Sequence, residues 1–231
     1  MRYFLSLCLL FLVACAPNVS ITIVGENVMP DIRYLALGDS YTIGESVPEA
    51  DRWPHQLAGS LTTKNISTEV TIIARTGWTT DELWDGMQRV KISPPYNLVS
   101  LLIGVNNQYR GRDINEYREG FVFLLNKSIE YAGGAPNRVI VLSIPDWGVT
   151  PFAGSLDSKK IAMEINQFNS VNEEESRKAG VHYVDVTPIS REAVNDAALI
   201  ASDGLHPSGK MYTEWTRLVY PEALQALGVS K

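Results

Sequence analysis

Ser40 stands in Gly38-Asp39-Ser40-Tyr41, directly after a short apolar run. A serine on a tight strand-to-loop turn exposes its hydroxyl at the edge of a sheet, and the preceding glycine permits the turn. A hydroxyl is a weak nucleophile unless a base sits beside it, and three histidines are candidates: His55, His182 and His206. His182 lies inside an apolar run, where a structural role is expected, and His55 follows Pro54 with no evident catalytic partner. His206 belongs to Asp203-Gly204-Leu205-His206-Pro207, where the proline biases it onto a loop. Asp203, three residues earlier, is spaced to turn its carboxylate onto the imidazole Nδ1, fixing the tautomer and stabilising the imidazolium.

Two further segments offer donors to a developing oxyanion. Thr79 and Glu82 form a capping box, so a helix is expected to start there. Gly77 then sits just ahead of a helix N-terminus, where outward N–H groups favour negative charge. In Gly104-Val105-Asn106-Asn107-Gln108 the glycine allows a sharp turn and the Asn106 amide can donate. Tyr41, Trp78, Tyr109 and Trp147 fall beside these segments and suggest an aromatic rim for a sugar ring, an aryl group or an acyl chain. The stretch from Pro145 to Phe152 is expected to be a long loop that sets specificity. Arg110 and Arg112 are candidates for a substrate carboxylate, with surface solvation the favoured reading.

Each segment alone fits an ordinary turn, so the weight rests on the elements that would position them. Runs rich in Val, Ile and Leu predict strands at 33–37, 68–74, 97–103, 138–143 and 181–185. Between the third and fourth, Ile114, Tyr117, Phe121, Leu124 and Leu125 mark a helix over 113–132, started by Asp113 with Glu116 three residues on. Ile161, Ile165, Phe168 and Val171 mark another, ended by Gly180, and a last helix is expected over 210–227. Five buried strands alternating with helices predict a parallel sheet covered on both faces, a three-layer α/β/α sandwich. Strand order is not readable from this pattern. In such sheets reactive groups gather at the carboxyl ends of the strands, and all four segments fall there, in a consistent order.

Gly38-Asp39-Ser40, Gly77, Gly104-x-Asn106 and Asp203-x-x-His206 together resemble the four sequence blocks of the SGNH or GDSL hydrolases, over residues 33 to about 227. The resemblance implies a flavodoxin-like sheet and an ester hydrolase of the esterase or lipase type that works by a two-step acyl transfer. Ser40 would be the nucleophile, His206 its base and Asp203 the third member. The N–H groups of Ser40 and Gly77 and the Asn106 amide would form the oxyanion hole. That chemistry calls for no metal or cofactor. Asn107 departs from the aspartate common at its place, and Trp78-Thr79 from the small residues common after the glycine. The chain also lacks Gly-x-Ser-x-Gly, which counts against an ordinary α/β-hydrolase. The expected substrate is a small-molecule or glycan ester carrying an acetyl or other short acyl group. The alternative is a non-catalytic surface lipoprotein that binds a glycan or partner on a hydrolase scaffold.

Both cysteines, Cys8 and Cys15, lie in the first fifteen residues, so the rest of the chain has no disulfide and no catalytic thiol. Arg2 followed by an apolar run too short to span a bilayer reads as a signal peptide. Leu12-Val13-Ala14-Cys15 resembles the lipobox of bacterial lipoproteins, which implies cleavage after residue 14 and lipidation of Cys15. The expected organisation is a signal peptide at 1–14, a lipidated tether at 15–31 and a hydrolase domain at 32–231, held on the cell envelope through the lipid. Ala16 in place of aspartate would favour the outer membrane if the host has one. The net charge of −6 argues against a nucleic-acid partner, which needs a basic footprint. Oligomeric state is left open, and a monomer is compatible.

Overall fold

Five strands rich in β-branched and leucine residues form one sheet: β1 (Ile32–Gly38), β2 (Thr68–Ala74), β3 (Leu98–Leu102), β4 (Val139–Leu142) and β5 (His182–Val184). The computed structural model describes residues 31–229; the expected signal peptide, Cys15 and the tether up to residue 30 lie outside them. The spatial order is β2-β1-β3-β4-β5 and every pairing is parallel. This is the flavodoxin-like order, with its switch point between β1 and β3. The expected α/β/α architecture is therefore the one found. Burial is less uniform than expected: β3 and β4 are wholly buried, whereas β2 and β5 are half-buried. The reason is position, since each of the latter two has a neighbour on one side only.

The helices are α1 (Ser40–Ile43), α2 (Trp53–Thr62), α3 (Thr80–Gln88), α4 (Val105–Tyr109), α5 (Ile114–Tyr131), α6 (Ser158–Ala179), α7 (Thr187–Arg191) and α8 (Gly209–Ala226). Parallel strands are joined by right-handed crossovers. The step from β1 to β2 runs opposite to all later steps, which puts α2 on the other face from α3, α5 and α6. There α2 packs against α8, and Trp53, Leu57 and Leu61 of the one and Tyr212 and Trp215 of the other are all fully buried. Local signals set the ends. Asp113 accepts from the N–H groups of Asn115 and Glu116 at the start of α5, and Gly180, at φ +72, closes α6.

His182 and His55 take structural places. His182 bridges Glu222 through Nδ1 (2.7 Å) and the Asn137 carbonyl through Nε2 (3.1 Å). His55 lies on α2 and meets Glu49 at 3.1 Å.

Candidate active site

The turn after β1 is built by close approach. A Cβ at Gly38 would lie 2.2 Å from Thr42 Oγ1 and 2.4 Å from the Leu102 carbonyl, so only glycine fits. Asp39 then caps α1, its Oδ1 accepting from the Tyr41 N–H at 3.0 Å. Ser40 opens that short helix and is 5% exposed. Asp39 itself is fully buried, and its Oδ2 has no partner among the described residues. Burial pushes the Asp39 carboxyl up to about 7 against the stabilising Tyr41 N–H.

His206 sits on a loop closed by an antiparallel bridge between Ile200 and Pro207. Four donors converge on the Asp203 carboxylate. Oδ1 accepts from the backbone N–H groups of Leu205 (2.9 Å) and His206 (3.0 Å). Oδ2 accepts from His206 Nδ1 (2.6 Å) and from the Ser46 hydroxyl (2.6 Å). Partial burial pushes that carboxyl up, but the Ser46 and His206 side chains with the two N–H groups outweigh it and hold it well below the usual range. A carboxylate on Nδ1 makes that nitrogen the donor and leaves Nε2 as acceptor. The ring is nearly buried, with the edge of Tyr41 against it at 5.7 Å between centroids. Nε2 makes no hydrogen bond to a described residue, Ser40 included.

Gly77 has φ +88, a conformation that favours glycine. Its carbonyl accepts from Arg110 Nη2 at 2.6 Å, and Arg110 Nη1 reaches Glu82 at 3.1 Å. The expected capping box is present, Glu82 accepting from the Thr79 N–H at 2.9 Å. Asn106 Nδ2 donates one hydrogen to the Trp78 carbonyl at 3.0 Å, which aims the amide and leaves its second hydrogen without a partner among the described residues. Asn107 is buried and engages Thr80 through both amide atoms, accepting from its N–H (3.1 Å) and donating to its hydroxyl (3.0 Å). That pairing ties the start of α3 to α4 through one buried side chain.

Ser40, Gly77, Asn106 and His206 line one cleft of about 120 Å³. Tyr41, Tyr109 and Trp147 line it too. Trp78 does not: its indole packs on α3, so close that a Cβ on Gly86 would lie 2.1 Å from Cη2. Phe152 completes an aromatic triangle with Tyr109 and Trp147, with centroids 5.3 to 6.3 Å apart. Trp147 is pinned by Nε1 donating to Gln108 at 2.8 Å. The stretch expected as a long loop is two 3-10 turns, Trp147–Val149 and Pro151–Ala153. Arg110 is committed to Gly77 and Glu82, and Arg112 to Glu116 and Asp81, so neither is left for a substrate carboxylate. Phe152 lies in the stretch expected to set specificity but was not among the residues expected at the aromatic rim, and Ser46 was not picked out by sequence reasoning. An aromatic directly after Pro151 was a usable signal for the first; the second left none.

A flavodoxin-like sheet with a serine after β1 and an aspartate–histidine pair at the same carboxyl edge defines a class of α/β protein equipped for acyl transfer. The chain belongs to the GDSL-like Lipase/Acylhydrolase family, which matches residues 36–213. Similar solved structures include TesA, at 18% identity and TM-score 0.65, over 84% of this chain and 99% of that one. The psychrotrophic esterase EstA from Pseudoalteromonas sp. matches at 17% identity and TM-score 0.66, over 86% and 100%. Axe2, an acetylxylan esterase from Geobacillus stearothermophilus, matches at 18% identity and TM-score 0.63, over 87% and 96%. No protein of curated function matches the sequence.

Proposed function

We propose that this chain hydrolyses carboxylic esters of short acyl groups through an acyl-enzyme on Ser40. His206 Nε2 takes the hydroxyl proton as Ser40 Oγ attacks the ester carbonyl, then returns it to the departing alcohol. Asp203 holds the ring and balances the imidazolium. The N–H groups of Ser40 and Gly77 and the free hydrogen of the Asn106 amide receive the oxyanion. Water activated by His206 then adds to the acyl-enzyme and releases the acid. One observation carries the reading: the Asp203–His206 pair opens onto the same cleft as Ser40, Gly77 and Asn106.

Size favours a short acyl group. About 120 Å³ falls well below the roughly 300–1,000 Å³ of sites for drug-sized ligands. The aromatic triangle supplies flat apolar surface suited to a sugar ring or aryl alcohol, and Axe2 is by its title an acetylxylan esterase. Acetylated glycans are therefore the favoured substrates, with the chain held on a bacterial envelope through lipid on Cys15. The test is hydrolysis of p-nitrophenyl acetate and butyrate by the wild type and Ser40→Ala. Removing the nucleophile should leave at most about one part in 10³ of the rate. A fluorophosphonate should label Ser40. A variant that still turns over would sink the assignment, and absent labelling would return the chain to a binding role.

A further inference from the structure

Ser46 is exposed and belongs to none of the sequence blocks described above, yet its hydroxyl donates to Asp203 Oδ2 at 2.6 Å. That same oxygen accepts from His206 Nδ1. Ser46 also has φ +63, a left-handed conformation uncommon for a residue with a side chain. Such strain persists only where the surroundings enforce it. Here the enforcement is visible: the N–H groups of Gly44 and Glu45 both donate to the Ser40 carbonyl at 3.0 Å. Gly44, also left-handed, is packed against Arg52 so closely that a Cβ would lie 2.3 Å from its Cγ. The Glu45 carboxylate meanwhile accepts from the hydroxyl of Thr76, the neighbour of Gly77. Residues 44–46 thus touch the backbone of Ser40, the Gly77 loop and the Asp203 carboxylate.

Building on the esterase reading above, we propose that Ser46 is a positioning residue whose hydroxyl fixes the Asp203 carboxylate and so keeps the His206 ring in register with Ser40. Asp203 lies on a surface loop with its side chain 29% exposed. Three of its four donors come from its own loop, residues 203–206, and can swing with it. The Ser46 hydroxyl is the one donor from another segment, and that segment is the nucleophile's own turn. It also takes a share of the negative charge on Oδ2. Without it the charge on Oδ2 falls more fully on the His206 Nδ1–H. Tyr41, the other titratable side chain against the ring, stays neutral because burial pushes its phenol far up.

The experiment compares full-length wild type, Ser46→Gly, Ser46→Ala and Ser40→Ala on p-nitrophenyl butyrate. Glycine accepts φ +63 without strain, so Ser46→Gly should melt no lower than wild type. Its kcat should fall by about ten-fold, the order expected when a reacting group loses its alignment, with KM nearly constant. The acid limb of its kcat/KM profile should move to higher pH. Wild-type kcat with an unmoved limb in Ser46→Gly, beside an inactive Ser40→Ala, overturns this inference alone. A loss that is equal at every pH and tracks a lowered melting temperature in both variants overturns it as well, since that is a structural role only. Turnover surviving in Ser40→Ala overturns the esterase reading and the inference with it.

Discussion

Burial strips water from both oxygens of Asp39, and only Oδ1 is compensated, by the Tyr41 N–H. The carboxyl is accordingly raised from 3.8 to about 7, chiefly by that burial. Between those values the folded chain keeps a proton that the unfolded chain has released. The stabilisation is complete below pH 3.8 and is lost as pH rises to about 7, with a slope of at most about 1.4 kcal/mol per pH unit. Asp39→Asn retains an oxygen for the Tyr41 N–H but has no charge to bury. Urea unfolding should therefore show the variant gaining on wild type between about pH 4 and about pH 7; a difference that stays constant over that span refutes the buried-charge account. At this scale the sequence was informative where chemistry restricts both residue type and local spacing. Asp203 and His206 are three positions apart, and the structure joins them as that spacing suggested. Ser46 and Asp203 are 157 positions apart, and their contact depends on a left-handed backbone that the residue type does not announce.

Helix α3 carries the loop that presents Gly77, and the two are locked by Trp78 lying on Gly86. Gly86→Ala sets two effects against each other. Replacing glycine inside a helix gains roughly 0.5–1 kcal/mol. The new Cβ, 2.1 Å from the indole, must push it aside, and overpacking of that kind costs roughly 1–3 kcal/mol. The clash should win by about 1 kcal/mol, lowering the melting temperature by roughly 2–4 °C. Because the Trp78 carbonyl holds the Asn106 amide, kcat should fall as well. A variant that melts higher and turns over normally would mean that the indole is free to move. Periodicity located all five strands to within a residue or so at each end, because buried parallel strands are continuous apolar runs. It did not yield α2, although Trp53, Leu57 and Leu61 recur every four residues. Pro54 reads there as a breaker, while in the structure it occupies the first turn, where its missing N–H costs nothing. Nor did it yield strand order, which depends on the direction of each crossover and has no local signature.

The sheet gives the molecule two unlike ends. The described chain enters at the amino end of β1, whereas Ser40, Gly77 and Asn106 all follow the carboxyl ends of β1, β2 and β3. The seven residues of β1 set those ends about 23 Å apart. No helix among the described residues is long and apolar enough to cross a membrane. If lipid on Cys15 holds the chain, as proposed, the anchored segment joins the described domain at the end opposite the cleft. Anchoring and catalysis should then separate cleanly. Cys15→Ser should lose incorporation of labelled palmitate and pass from the detergent phase to the aqueous phase on Triton X-114 partition. Its kcat/KM on p-nitrophenyl butyrate should stay within about two-fold of the lipidated protein, because no group of the cleft is altered. Retention in the detergent phase would rule out the lipid anchor. A large fall in kcat/KM would instead mean that the membrane shapes the cleft, and that the opposed-ends geometry does not describe the working enzyme.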